Sequence, residues 1–304
     1  MTGALALLAQ RTRSTARRNT LRRVLMFPLA FALVAALWEG YKAVGPERGG
    51  DLLGIRILPR TGDREMPHVW DMVSRMSRPA VRGGDDDIWV VVVRATWYSF
   101  RVALAAFVIG TLLGMALAVA MARFRVIERA LLPYLVISQT IPIIVLGPLM
   151  VSLLGYASPD LASENTWIAA VALGVFLAFF PVALGTLRGL QAAQPAALEL
   201  MDSLASPWWR TLLKLRFPSA VPFIAPSLRV AGAAAVVGVV VAEISLGLAA
   251  GVGRLIIAYG REASTDPPKL FAAVFGAAML GIAMSMLVVG IDRMMRRNRP
   301  QETF

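Results

Sequence analysis

The sequence predicts an all-α membrane protein of six transmembrane helices with both termini in the cytoplasm, and three observations carry that reading. Its 304 residues are 57% hydrophobic and 16% charged, with a mean hydropathy of +0.65, against roughly 45–50% apolar and about 25% charged in an ordinary soluble domain. Six windows are long and apolar enough to cross a hydrocarbon core of about 30 Å, which takes about 20 helical residues. The lysines and arginines outside those windows divide unevenly between the two sides. Such a composition excludes a disordered chain and a soluble enzyme that is wetted all round. The net charge of +12 does not point to nucleic acid, because so apolar a chain cannot present the wettable basic face a nucleic-acid binder needs.

Taken in order, residues 1–23 form a cytoplasmic arm with six arginines and no acid. The first span covers residues 24–44; its apolar run is long for a signal peptide and no credible cleavage site follows it. Residues 45–96 make an extracytoplasmic loop in which eight basic and eight acidic residues balance. Pro59 to Gly62 read as a turn, and Val69, Met72, Val73 and Met76 recur at helical spacing, which predicts a short amphipathic helix at the surface. His68, just before it, reads as an ordinary exposed histidine. A core over 97–291 carries the remaining spans, near Val102 to Met121, Tyr134 to Leu154, Thr166 to Leu187, Ala225 to Gly247 and Leu270 to Ile291. Residues 292–304 are a cytoplasmic tail. Seventeen basic residues then face the cytoplasm and eleven the outside, the sense expected beside an anionic inner leaflet.

Much chemistry is missing. Without cysteine and with one histidine, no metal site is expected, and the absence of any Gly-Lys pair rules out a P-loop. A membrane-embedded enzyme would need paired catalytic groups that are not found. Of the ionisable residues inside spans, Glu39 and Lys42 sit three apart and read as an interfacial ion pair. Arg101 and Arg229 lie at span ends and can snorkel. Glu243 is the exception: a carboxylate deep in a span is a functional candidate by default, with Arg254 or Arg261 available to neutralise it. Pro142 and Pro148 are expected to break the third helix and Pro181 to kink the fourth, freeing carbonyls that must face protein or a wet cavity. That reading puts a translocation pathway near Ser138, Gln139, Pro142 and Glu243; packing alone accounts for the prolines equally well. Gly110-x3-Gly114 and Gly185-x3-Gly189 suit close helix approach.

Between the fourth and fifth spans, residues 195–216 do not read as a loop. Met201, Leu204, Trp208, Leu212 and Leu215 recur at steps of three and four, the spacing of one helical face, while Glu199, Asp202, Arg210 and Lys214 take other faces. Pro195 suits a first helical turn. Ser206 reads as an N-cap with Pro207 at the first position of a second helix, so the chain turns at Ala205-Ser206. An interfacial helix resting on lipid is the plain alternative; the compact turn with a mixed-charge rim suits a protein groove better.

The pattern Glu-x5-small-x12-Pro, filled by Glu199, Ala205 and Pro218, resembles the EAA loop of inner-membrane permeases of binding-protein-dependent ABC importers. The resemblance runs from about Arg94 onward and includes Pro133, Gln139, Pro142, Pro148 and Gly155, Ala242-Glu243 followed by Gly251-x-Gly253, and Pro268-x-Leu270-Phe271-Ala272-Ala273. Its details are most similar to the branch handling nitrate, sulfonates, taurine, pyrimidine precursors and related vitamins. The resemblance implies the type I permease fold and a transport subunit that is not itself an enzyme and binds no cofactor, ATP and Mg being held by a partner. Implied partners are ABC ATPase subunits, a second permease subunit, identical or not, and an extracytoplasmic solute-binding protein, all at the plasma membrane. Glu199, Asp202, Ala205, Ser206, Trp208, Arg210 and Pro218 would then contact the ATPase, with Trp208 and Leu212 as the apolar knob. A stand-alone secondary transporter or channel is the rival reading; it needs an ion-coupling site, for which one deep carboxylate is thin support. Two residues depart from the family pattern. Leu200-Met201 replace its two alanines, and Ala205 replaces its glycine, which implies a less extreme turn or about 1 kcal/mol of backbone strain.

Overall fold

The computed structural model of the protein describes residues 26, 29–47, 49–52, 55–81, 83–157 and 166–296. The basic arm over 1–23, the segment 158–165 and the tail beyond 296 lie outside them. The chain divides into two compact units, residues up to Arg75 with Ala263–Pro268, and Met76–Glu262 with Lys269 onward.

The first unit contains helix α1 over residues 29–44, a short antiparallel hairpin of β1 (Gly50–Leu52) and β2 (Ile55–Leu58), and helix α2 (Val69–Met76). The hairpin is an addition to the all-α expectation. The expected Glu39–Lys42 pair needs correcting: each side chain has a partner far along the chain. Lys42 Nζ donates to the Thr61 and Met66 carbonyls and to Asp63 Oδ1, at 3.2, 2.5 and 2.7 Å. Three acceptors saturate an ammonium that is nearly buried, which a single carboxylate three residues away would not. The same hydrogen bond holds the Asp63 carboxyl below the usual carboxylate range. Glu39 accepts the Val69 N–H at 2.7 Å, capping α2, and its other oxygen lies 2.8 Å from His68 Nδ1. His68 is therefore not a free surface histidine; it also stacks on Trp70, with ring centroids 4.1 Å apart.

In the second unit, α3 (Ile88–Arg123), α6 (Thr166–Gln191) and α8 (Trp208–Leu246) pack around a core that includes Ala106, Leu173, Val182, Ala235 and Val239. Small residues bring the backbones together, since no hydrophobic force drives helices together in lipid. A Cβ on Gly114 would lie 2.5 Å from the Phe179 carbonyl oxygen, and one on Gly185 would lie 2.4 Å from Ser227 Cβ. Helix α3 begins fourteen residues before the expected span, because Arg94 and Arg101 end an apolar window without ending a helix. At 1.5 Å per residue its 36 residues reach about 54 Å, well beyond a bilayer core.

The expected third span is not one helix. Helices α4 (Arg125–Ser138) and α5 (Ile143–Ala157) meet at a bend of 105°. Pro142 denies the residue before it the helical region, and the hydroxyls of Ser138 and Thr140 take the Leu135 and Ile137 carbonyls, both at 2.8 Å. Pro181 sits within an uninterrupted α6. The chain continues through α7 (Pro195–Ser203), α8, α9 (Val252–Glu262) and α10 (Pro267–Arg296). Among the described residues four helices are long and apolar enough to cross a membrane, or five counting the bent pair. Arg229, exposed on α8, hydrogen-bonds Asp292 of α10.

Replacing Gly114 by leucine forces α3 and α6 apart and is expected to cost about 1–3 kcal/mol, read as a lower thermal transition of the purified protein. Gly281→Ala, where a Cβ meets nothing within 4 Å, leaves the transition unchanged or raises it.

Candidate functional site: an elbow and a buried carboxylate

Helix α7 ends in a Schellman motif. The Ser206 N–H reaches the Met201 carbonyl at 3.0 Å and the Ala205 N–H the Asp202 carbonyl at 2.9 Å. This closure demands a left-handed residue at the position after the cap. Ala205 has φ +49°, the only positive φ at a non-glycine among the described residues. Of the two alternatives left by the sequence, the strained turn is the one observed. The next helix starts at Trp208 with Pro207, not Ser206, at its N-cap.

Helix α8 runs on from there through Pro218. A proline clashes with the carbonyl four residues back and lacks an N–H, and the helix answers with a π turn over Leu212–Arg216 in which the Phe217 N–H reaches the Leu212 carbonyl. The Ser219 hydroxyl takes the Leu215 carbonyl at 2.8 Å, and Arg216 Nη1 donates to the Leu190 carbonyl at the end of α6, at 3.2 Å. The expected second coupling helix is thus the first turns of the fifth span, not a separate element.

Because the backbone turns left-handed at Ala205, the helical phase is lost, Leu204 does not share a face with Trp208 and Leu212, and the expected knob needs correcting. Trp208 is half-buried beneath the Arg123 guanidinium, 5.2 Å from its ring centroid, and packs with buried Leu212 against the chain's own core. The side chains left outside are Leu200 (59% exposed), Leu204 (68%) and Trp209 (55%), with Arg210 over the Trp209 ring at 5.4 Å. Glu199 and Asp202 are exposed on α7, Ser206 is half-buried, and Pro218 is half-buried within α8. Sequence reasoning missed Arg123 and Trp209; the pairing of tryptophans at 208 and 209, one facing in and one out, was the available signal.

The expected pathway residues sit on the α4–α5 bend and on α8, and a Cβ on Gly147 of α5 would lie 3.2 Å from Ser245 Cβ of α8. Half-buried Ser138 and exposed Gln139 and Pro142 lie at the α4–α5 bend. Glu243 is completely buried near the other end of α8. Its Oε1 accepts the Ser99 hydroxyl of α3 at 2.6 Å and its Oε2 the Gly253 N–H at 2.8 Å. Neither expected cation reaches it: Arg254 hydrogen-bonds the Ala249 carbonyl, and Arg261 is exposed. Among the described residues no group of three or more His, Cys, Asp and Glu residues is arranged to hold a metal ion.

Comparison with known proteins gives a consistent picture. Residues 110–300 match the model of the family described as "Binding-protein-dependent transport system inner membrane component". A probable ABC transporter permease protein of Haemophilus influenzae is 32% identical over 206 residues, which cover 66% of this chain and 78% of that protein. The formylaminopyrimidine transport permease protein ThiX of Halalkalibacterium halodurans is 35% identical over 51% of this chain, and the match spans only 58% of that relative's length. The putative aliphatic sulfonates transport permease protein SsuC of Bacillus subtilis is 29% identical, over 64% and 66% of the two chains. A crystal structure of an amino acid ABC transporter with histidines superposes with a TM-score of 0.54 at 17% identity, covering 67% of this chain and 94% of that one.

The strain at Ala205 makes a direct prediction. Ala205→Gly relieves the left-handed alanine and should stabilise the protein by about 1 kcal/mol, whereas the β-branched Ala205→Val should destabilise it further. Thermal transitions of the two variants against the unaltered protein decide the matter.

Proposed function

Because this chain belongs to the family of binding-protein-dependent transport system inner membrane components, we propose that it supplies half of the transmembrane pathway of an ATP-driven importer and is driven through its cytoplasmic elbow. The chain is a multi-pass transport subunit of the plasma membrane. On the proposed reading a second permease subunit completes the pathway, a solute-binding protein delivers substrate outside, and two ATPase subunits bind ATP and Mg and close on one another inside. Six spans with both termini in the cytoplasm put the elbow on the ATPase side, in line with the excess of basic residues on that face.

The observation that carries the reading is the elbow itself. Leu200 stands exposed on α7 and Leu204 at its cap, and Trp209 stands exposed on the first turn of a helix 39 residues long. Apolar side chains rimmed by Glu199, Asp202 and Arg210 have the composition of a small protein-binding patch, an apolar centre within a polar rim. Closure of the ATPase pair would then tilt α8 directly, with no loop to absorb the movement. Relatives named for formylaminopyrimidine, aliphatic sulfonates and riboflavin point to a small organic or oxyanion solute as the cargo.

The test is assembly and coupling. The protein should co-purify with an ATPase subunit. Leu204→Asp or Trp209→Ala should remove most of that association, as truncation of a buried aromatic anchor costs about 2 kcal/mol or more, while Glu199→Gln lowers it only slightly, as for an exposed charge. Cargo movement at full rate in vesicles without ATP would overturn the reading. Reporter fusions at Ser206 and Gly83 should signal from opposite sides of the membrane; equal signals would contradict the topology.

A further inference from the structure

Glu243 lies 35 residues beyond Trp208 in the same helix, about 50 Å along the rod at 1.5 Å per residue. Its surroundings form a clamp of three elements. The carboxylate receives Ser99 Oγ–H from α3 and Gly253 N–H from α9, and Ser99 Oγ in turn accepts the Val252 N–H at 2.9 Å. Val252 and Gly253 are the first two residues of α9, so two of the N–H groups that a helix cannot satisfy within itself are satisfied from α8 and α3. The carboxylate also faces the positive end of the α9 dipole.

The connection between α8 and α9 is shaped around this carboxylate. Gly247 turns the chain at φ +59°, and Gly251, at φ +108°, crosses so close that a Cβ there would lie 2.2 Å from Glu243 Cδ. A Cβ at Gly253 would be ordinary for a helix in conformation but would lie 2.7 Å from Glu243 Cβ. Glycine at both positions lets the backbone seal over the carboxylate and exclude water. A carboxylate without solvent or a basic partner is held only by its hydrogen bonds, and losing them without replacement leaves a buried polar group uncompensated. Helix α9 therefore cannot leave the end of α8 while Glu243 stays dry.

We propose that Glu243 and Ser99 are a positioning pair that makes α9 a rigid extension of α8, so that a displacement imposed at the elbow is delivered to α9 at the far end of the rod. The delivery rests on the reading of the chain as an ATP-driven permease; the clamp does not.

The chain has no cysteine, so spin labels on cysteines introduced at the exposed positions Val237 and Arg261 report the α8–α9 distance directly by pulsed electron resonance. The measurement is made on the transporter assembled with its ATPase in lipid nanodiscs, without nucleotide and with ATP, Mg and vanadate. The unaltered clamp should give one narrow distance that nucleotide does not change. In Ser99→Ala and Glu243→Ala the distribution should at least about double in width, as for a locally unlatched element, while ATP hydrolysis by the complex persists. Glu243→Gln keeps an acceptor for Gly253 and a donor toward Ser99, and should keep the narrow distance. If Glu243→Ala does not assemble, Ser99→Ala and Glu243→Gln decide. An unaltered narrow distance in Ser99→Ala, or a distance that shifts with nucleotide in the unmodified clamp, overturns the proposal. A complex that contains no ATPase refutes the permease reading instead, and the nucleotide-free distances still judge the clamp.

Discussion

The continuity of α8 through its prolines is the constraint on which the rest of the structure depends. Pro218, Pro222 and Pro226 fall within one helix, and a proline in a helix interior costs about 3 kcal/mol when nothing adjusts. Near a bilayer there is little water to take the freed carbonyls, so the adjustment has to come from the protein. It comes from a π turn of five residues and the Ser219 hydroxyl on the Leu215 carbonyl, while the Arg216 guanidinium takes the Leu190 carbonyl at the end of α6. The outcome is that the residues after the elbow and the residues inside the membrane belong to one helix. A loop at Pro218 would disperse any force applied at Trp209; a helix passes it on.

Each end of that helix is fixed by a different device. At the elbow end, Ala205 turns the backbone left-handed, and Arg123 from α3 covers Trp208 and ties the base of the elbow to the core. Trp208 and Leu212 turn inward while Leu200, Leu204 and Trp209 stay outside, so on the proposed reading rigidity and recognition fall to different side chains. At the other end, Glu243 trades an ion pair for hydrogen bonds to α3 and α9. Between them, glycines at the helix contacts allow backbone-to-backbone packing, which transmits displacement with less give than layers of long side chains.

Much of this was legible in the sequence, and the failures have a common cause. Apolar windows locate α3, α6, α8 and α10 because burial in lipid and the 20-residue length requirement are properties of local composition. The Ser-Pro restart, the turn at Ala205 and Pro218 likewise declare themselves within a few residues. What the sequence could not show are partners brought together by the fold. Ser99 is 144 residues from Glu243, Asp63 is 21 from Lys42, and Asp292 is 63 from Arg229, so spacing rules named a nearby charge for Glu243 and for Lys42 and no partner for Arg229. The elbow face failed for a related reason. A helical period was read across Ala205, where the backbone turns left-handed and the phase is lost. Pro142 announced the break between α4 and α5, whereas Pro148, read as a second breaker, lies inside α5, and nothing local to the sequence announced the angle of 105°.

The central claim is that the elbow is where a separate motor grips this protein. A photo-crosslinker on a single cysteine introduced at Leu204, in the assembled complex in its own membrane, tests it most directly. The account predicts that the label captures the ATPase subunit in high yield and that a soluble maleimide alkylates the unlabelled cysteine only after the ATPase is stripped away. A label that captures only phospholipid, or an unlabelled cysteine that the maleimide modifies in the intact complex, would contradict it.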